Sequence, residues 1–213
     1  MNLLWQSFWF FMVVLVLIIF FYHIWFLRNP KVKPTKKGYV ISPASGKIIH
    51  IIKYNQNTAK IKKGRFGKIM TLTKDVSKKG YLICIAMNIF NVHFQRSPIP
   101  GNVKKVNYFK GKLRNIFLNP DGLRFIDNER NEILIGARSE NKNFNVKIIQ
   151  IAGMAARRIH CYVKNNQKLK TTDLLGVIKF GSMVVLVIPD HINLMVKENE
   201  KVHVGKTKIG KLS

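Results

Sequence analysis

From Leu3 to Leu27 the chain carries no Lys, Arg, Asp or Glu and is almost continuously apolar. No other stretch limits the fold so sharply, because roughly 20 such residues are what a helix needs to cross the hydrocarbon of a bilayer. Trp5, Trp9, Tyr22 and Trp25 lie toward the two ends of the run, where aromatic belts form. A secretory leader is the competing reading. It calls for a basic start and a small-residue cleavage site, but Met1-Asn2-Leu3-Leu4-Trp5 has no basic side chain and no Ala-x-Ala site follows. Residues 1–29 are therefore read as an N-terminal membrane anchor and 30–213 as the domain it carries. Arg28, Lys31, Lys33, Lys36 and Lys37 come directly after the span. Loops rich in Lys and Arg stay inside, which puts the domain on the cytoplasmic side of the cell (inner) membrane. The same cluster is attracted to anionic headgroups.

Pro30 and Pro34 end any helix and open a linker. Beyond Gly38 the pattern is one of short β-rich runs: Tyr39–Ile41, Lys47–Ile52, Gly67–Thr73, Tyr81–Asn88, Asn102–Phe109, Arg124–Asp127, Glu132–Arg138, Asn145–Ile151, Arg158–Val163, Gly176–Ile188 and a last stretch to Ile209. Turns with Gly, Asn, Asp or Pro separate them, Ser42-Pro43-Ala44-Ser45-Gly46 among them. Helical patterning is confined to Asn88–Val92 and Ala152–Ala156. Many short strands at close spacing predict an all-β domain, a mainly antiparallel sandwich or barrel with few short helices, behind one transmembrane helix.

Lys and Arg number 37 against 10 Asp and Glu, a net charge of +27 in 213 residues. Such a surplus calls for an anionic partner, either an anionic lipid surface or nucleic acid. Nucleic-acid affinity would fall steeply with salt; apart from the charge, nothing in the sequence supports it. Cys84 and Cys161 are far apart in apolar stretches and have neither CxxC nor metal-ligand spacing. They are expected as buried, reduced thiols. His23, His50, His93, His160, His191 and His203 form no HxxxH-type pair, so no metal is expected.

Gly176–Pro189 is an apolar run interrupted by Gly181-Ser182. Taken alone it reads as a buried β-segment with a bulge, its Ser bonded to the backbone. It also sets a hydroxyl next to a carbonyl that no flanking side chain shields.

Read together, six segments resemble the phosphatidylserine decarboxylase family in its short, membrane-anchored form. Phe26-Leu27-Arg28-Asn29-Pro30 is similar to the family's FFRDP, and Ser42-Pro43-Ala44-Ser45-Gly46-Lys47 to its SPADGK. Asn91-Val92-His93-Phe94-Gln95-Arg96-Ser97-Pro98-Ile99-Pro100-Gly101 is similar to DVHVNRAPVxG, and Asp127-Asn128-Glu129-Arg130-Asn131 to ENERN. Gln150 to Ile159 is similar to QIAGLVARRI, and Phe180-Gly181-Ser182 to FGS. They occur in order and cover nearly the whole chain.

The resemblance implies a self-processing enzyme that converts phosphatidylserine to phosphatidylethanolamine in phospholipid biosynthesis. The Ser182 hydroxyl would attack the Gly181 carbonyl, and the chain would part between 181 and 182 into beta and alpha fragments. Ser182 would become a pyruvoyl group, a cofactor derived from pyruvate in form, whose ketone takes the substrate amine as a Schiff base and acts as an electron sink. His93 matches the family histidine that moves protons in processing and decarboxylation. Arg96, Arg157 and Arg158 are candidates to hold the lipid phosphate, with a structural or solvated role equally open. Membrane phospholipid and the membrane itself are the implied partners, with no nucleic acid; a homo-oligomer stays open.

One departure matters. Where the family motif has Asp, this chain has Ser45, which can bond an imidazole but cannot stabilise an imidazolium as a carboxylate does. Asp75 and Asp173 are substitutes in number only. The alternative reading is a non-catalytic, membrane-anchored, lipid-binding relative.

Overall fold

A computed structural model of the chain describes residues 3–32, 38–56, 65–112, 124–139, 142–153, 159–179 and 181–212. It opens with helix α1 (Leu3–Phe20), which runs into a π-helical turn, Phe21–Phe26. Leu4–Phe26 is long and apolar enough to cross a membrane. Its side chains are mostly exposed; Phe26, at the domain end, is fully buried.

The domain then follows as β1 (Tyr39–Ile41), β2 (Gly46–Asn55), helix α2 (Arg65–Thr73), β3 (Lys79–Ala86), β4 (Phe94–Arg96) and β5 (Gly101–Phe109). After a 3-10 turn at Arg124–Asp127 come β6 (Arg130–Ser139), β7 (Lys142–Ile151), β8 (Ile159–Cys161), β9 (Lys168–Leu169) and β10 (Leu174–Ile178). The chain ends with β11 (Met183–Pro189), β12 (Asn193–Leu194), β13 (Lys201–Val202) and β14 (Lys208–Lys211). An eight-stranded sheet has the order β13-β2-β3-β11-β7-β6-β5-β9 and curls toward a half-barrel. Two three-stranded sheets, β1-β14-β12 and β4-β10-β8, accompany it. All pairings between these strands are antiparallel, as the sequence pattern predicts.

The period-2 alternation of the strands sorts their side chains into two cores. Ile48, Ile83, Ile85, Ile133, Ile148, Val184, Leu186 and Ile188 face one way and pack on Val40, Leu175, Ile178 and Ile209 from the small sheets. Leu82, Cys84, Ile149, Met183, Val185 and Val187 face the other way and pack on Ile69 and Leu72 of α2 and on Phe125 and Ile126 of the 3-10 turn. Strand β11 is covered on both faces, which is why it reads as an unbroken apolar run rather than an alternating one. Burying Val184, Leu186, Ile188, Met183, Val185 and Val187 contributes on the order of 10 kcal/mol of gross transfer free energy.

Four local expectations are corrected. Gly67–Thr73 lies in helix α2, because Ile69, Leu72 and Val76 recur at helical spacing and cover one face of the sheet. Arg124–Asp127 is a 3-10 turn whose Phe125 and Ile126 plug the same core. Gly176–Ile188 is two strands in different sheets, not one interrupted strand. Asn88–Asn91 is a hydrogen-bonded turn rather than a helix. Of Ala152–Ala156, residues 152 and 153 have no regular structure and 154–156 lie outside the described residues. The thiols also part company: Cys84 is fully buried, whereas Cys161 is half-buried and bonds to the Val163 carbonyl.

Register places one row across five strands: Lys47 opposite Ala86, Ala86 opposite Met183, Met183 opposite Ile151 and Ile151 opposite Arg130. One residue beyond this row lie Gly46, Met87, Ser182, Ala152 and Glu129. Antiparallel pairing thus brings residues far apart in sequence to one rim of the sheet.

Candidate active site

Gly181-Ser182 sits at that rim, in the crossing from β10 to β11. Gly181 has φ +53°, in the left-handed region that disfavours side chains, and among the described residues nothing lies within 4 Å of where its Cβ would be. Its carbonyl therefore belongs to a residue that none of them crowds on the side-chain side. Ser182 is fully buried, and among the described residues its Oγ meets the Met87 Sδ at 3.8 Å. A thioether is a weak acceptor, so the hydroxyl has no strong competing bond among the described residues. The Ser182 carbonyl accepts from the Met87 backbone N–H at 3.0 Å, which ties the end of β3 to the start of β11.

From Met87 the chain turns through Asn88–Asn91 to His93, which is fully buried. Among the described residues, neither of its ring nitrogens has a hydrogen-bond partner. The ring instead lies on Phe26, centroids 4.0 Å apart and planes 32° apart, and Phe26 stacks on Tyr22. Burial pushes the pKa of His93 down from 6.5 to about 4; the backbone of Asn91 opposes the shift without hydrogen-bond alignment, and the charge of Arg28 adds to it. The imidazole is thus neutral at physiological pH and can accept a proton.

A row of buried amides fixes these groups. Asn131 Nδ2 donates to Gln150 Oε1 at 2.9 Å, and Gln150 Nε2 donates to Gln95 Oε1 at 2.8 Å. Gln95 Nε2 donates to the His93 carbonyl at 2.6 Å and lies 3.9 Å from the Met87 sulfur that touches Ser182. The His93 carbonyl also accepts from Ile178 N–H, three residues before Gly181. Sequence reasoning assigned no role to Gln95, Gln150, Met87 or Phe26. The available signal was a polar residue closing an apolar strand, as Gln150 does in Val146–Ile151, because buried amides need partners.

Ser45 lies in the Ser42–Gly46 turn, whose Pro43 carbonyl accepts from the Arg96 backbone N–H in β4. Gly46 is pressed against β3 so closely that a Cβ would fall 2.2 Å from the Ala86 carbonyl oxygen. The turn therefore abuts both chain segments of the site. The Ser45 Oγ, however, accepts from the Val204 backbone N–H at 3.0 Å rather than meeting the imidazole. Asp75 is placed elsewhere, paired with the buried Lys147 at 3.1 Å. Asp173 Oδ2 accepts from Lys170 N–H within its own turn. Neither acid bonds to His93.

Arg96 holds the linker. Its guanidinium donates to Asn29 Oδ1 at 2.6 Å, to the Pro30 carbonyl at 3.2 Å and to the Thr172 carbonyl at 2.9 Å. Arg157, Arg158 and Phe180 lie outside the described residues. Thus Gly181 and Ser182 lie at the rim, Gln95 links the His93 backbone to the Met87 sulfur that meets Ser182, and Arg96 docks the segment that leads to the membrane helix.

Residues 19–210 match the family model described as phosphatidylserine decarboxylase. The chain is 33% identical over 196 residues to the phosphatidylserine decarboxylase proenzyme of Polynucleobacter asymbioticus, covering 92% of this chain and 80% of the relative. It is 34% identical over 187 residues to the proenzyme of that name from Syntrophus aciditrophicus, covering 87% and 78%. To its counterpart from Magnetococcus marinus it is 34% identical over 190 residues, covering 89% and 77%.

Proposed function

The chain belongs to the phosphatidylserine decarboxylase family, and from that premise we propose that it cuts itself between Gly181 and Ser182 and then decarboxylates phosphatidylserine to phosphatidylethanolamine. The observation that carries the reading is a fully buried Ser182 hydroxyl with, among the described residues, only a thioether to bond, directly after a left-handed Gly181.

In the processing step, Ser182 Oγ adds to the Gly181 carbonyl carbon, the C–N bond breaks and the freed nitrogen takes up the hydroxyl proton, leaving an ester. Loss of the Ser182 α-proton expels the Gly181 carboxylate from Cβ. Loss of ammonia and uptake of water leave a pyruvoyl group at residue 182. Neutral His93, whose backbone is linked through Gln95 to the Met87 beside Ser182, is the group suited to take and return these protons. The surroundings fit the product: the position is buried, its neighbours are Met87 and apolar strand residues, and among the described residues nothing crowds the side-chain side of Gly181. Once formed, the group supplies an electron sink for loss of carbon dioxide from the substrate.

Cleavage would leave fragments 1–181 and 182–213. They should stay together, because the smaller fragment contributes β11, held on one side by β3 and on the other by β7. The apolar helix supports reading residues 1–29 as an anchor for the 30–213 domain, and the basic residues after it favour the cytoplasmic face of the membrane. Arg96 acts mainly in docking the linker; a phosphate-holding role falls to Arg157 and Arg158. The test is carbon dioxide release from phosphatidylserine in vesicles: it should occur with the native chain and be lost with Ser182→Ala. A second reading, a non-catalytic lipid-binding relative, draws on the Ser45 hydroxyl being engaged by Val204 while the His93 imidazole has no polar support among the described residues. Absence of carbon dioxide release from a folded, uncut chain would establish it.

A further inference from the structure

The turn between Met87 and His93 carries an apolar tip. Ile89 is 44% exposed and Phe90 60% exposed, while Met87 and His93 on either side are fully buried. A large exposed aromatic beside an exposed Ile, on a turn that leads into the site at both ends, is not needed for the core.

Three observations connect this tip to a bilayer. The first is position. The Phe90 ring lies edge-on to Phe21 at 6.4 Å. Phe21 is one helical turn on the membrane side of Trp25, roughly 5 Å along the axis. The tip is therefore level with the end of the apolar helix rather than above it. The second is satisfaction of the backbone. Asn88 N–H donates to Asn91 Oδ1, Phe90 N–H to Asn88 Oδ1 and Asn91 N–H to the Asn88 carbonyl, while the Phe90 carbonyl accepts from Arg28. Each of these bonds lowers the cost of bringing the turn into a poorly hydrated layer. The third is charge. Arg28, whose guanidinium donates to the Phe90 carbonyl and lies 4.7 Å over the Trp25 ring, stands at the tip, and Lys179 Nζ lies 5.8 Å from the centroid of the Tyr22 ring on the same helix end. Together with the overall +27 they suit an anionic surface.

We propose that the turn Asn88–Asn91 is a second membrane contact: Ile89 and Phe90 sit in the interfacial layer of an anionic bilayer beside the N-terminal helix. This holds the Ser182 site against the lipid surface, so that a headgroup reaches it without the lipid leaving the bilayer. The inference rests on the membrane-anchored decarboxylase reading for its purpose, but its test does not depend on catalysis. Tyr22 and Phe26, stacked between the helix and His93, continue the apolar path from the tip to the site.

The test uses the full chain with Ser182→Ala, which keeps it uncut, and with Cys161→Ser. Ile89→Cys carries an environment-sensitive fluorophore; Cys84, fully buried, does not react. The protein is placed in nanodiscs of phosphatidylcholine and phosphatidylglycerol. Blue-shifted emission, quenching by a nitroxide high on the acyl chains and protection from aqueous iodide are expected. The same label at exposed Asn143→Cys, on the opposite rim, should show the reverse. Adding Phe90→Asp should shift the emission at 89 toward red; an unchanged blue shift means that the label alone drives insertion and overturns the proposal. So does quenching by iodide equal to that at 143. Shielding from both quenchers, the mark of a covering protein such as a second copy, overturns it too. If this chain inserts the turn while the native chain, with Ser182 in place, releases no carbon dioxide, the membrane contact stands and the decarboxylase reading falls.

Discussion

Protonating His93 should unfold the domain in a way that no surface histidine would. The folded site holds its pKa at about 4 against 6.5 when free, chiefly through burial. The unfolded chain therefore binds the proton more readily. The stability that this neutral ring provides is complete above about pH 6.5, falls as pH drops toward 4, and is fully lost below 4. The whole shift corresponds to about 3 kcal/mol, and lowering the pH from about 7.5 to about 5 should remove about 2 kcal/mol through this group. Carboxylates titrate in the lower part of that window, so the measurement is a difference. The Ser182→Ala chain is unfolded with urea in detergent at both pH values, with and without His93→Phe. The substitution fits a site that gives the ring an aromatic neighbour and no polar partner among the described residues. Any constant offset from repacking cancels between the two pH values. The chain that keeps His93 should lose about 2 kcal/mol more on acidification than the chain with His93→Phe. Equal losses, or direct titration of His93 between about pH 6 and 7 by NMR, would refute the burial argument and with it the neutral base.

Other consequences follow from the same geometry. Ser45→Asp keeps an acceptor for the Val204 N–H and adds a carboxylate to a turn that abuts the His93 strand; it should raise the His93 pKa and speed fragment formation, as read by NMR titration and gel analysis over time. Gln95→Leu breaks the amide row and strands Gln150 Nε2, which should cost about 1–3 kcal/mol in urea unfolding and slow cleavage. Lys147, buried between Asp75 at 3.1 Å and Glu132 at 3.4 Å, should cost about 1–3 kcal/mol when replaced by Ala, by urea unfolding, because Asp75 loses its cation and Glu132 is left with Arg130 alone.

The legible part of the fold was the part governed by periodicity. The apolar span, the antiparallel strands and the turn at Ser42–Gly46 follow from patterns that local chemistry sets. Gly67–Thr73 misled because Ile69, Met70 and Leu72 lie close enough together to suit a strand as well as a helix; the choice is made by the sheet face they cover. Gly176–Ile188 misled because apolar character does not say which sheet a segment joins, and only the left-handed Gly181 marks the crossing. In the site, motif resemblance located Gly181, Ser182 and His93, but it could not show that His93 stacks on Phe26 from the membrane segment or that Arg96 is committed to Asn29 and Pro30. Those contacts join residues more than sixty positions apart, and no local pattern encodes them.

The central claim is that Ser182 attacks its own chain, and intact mass spectrometry of the purified full-length protein tests it most directly. The account predicts two species that copurify, residues 1–181 and a fragment from 182 to 213 whose first residue has the mass of a pyruvoyl group in place of Ser and resists N-terminal sequencing. A single uncut chain that persists after long incubation in anionic bilayers, with Ser45→Asp uncut as well, would contradict it.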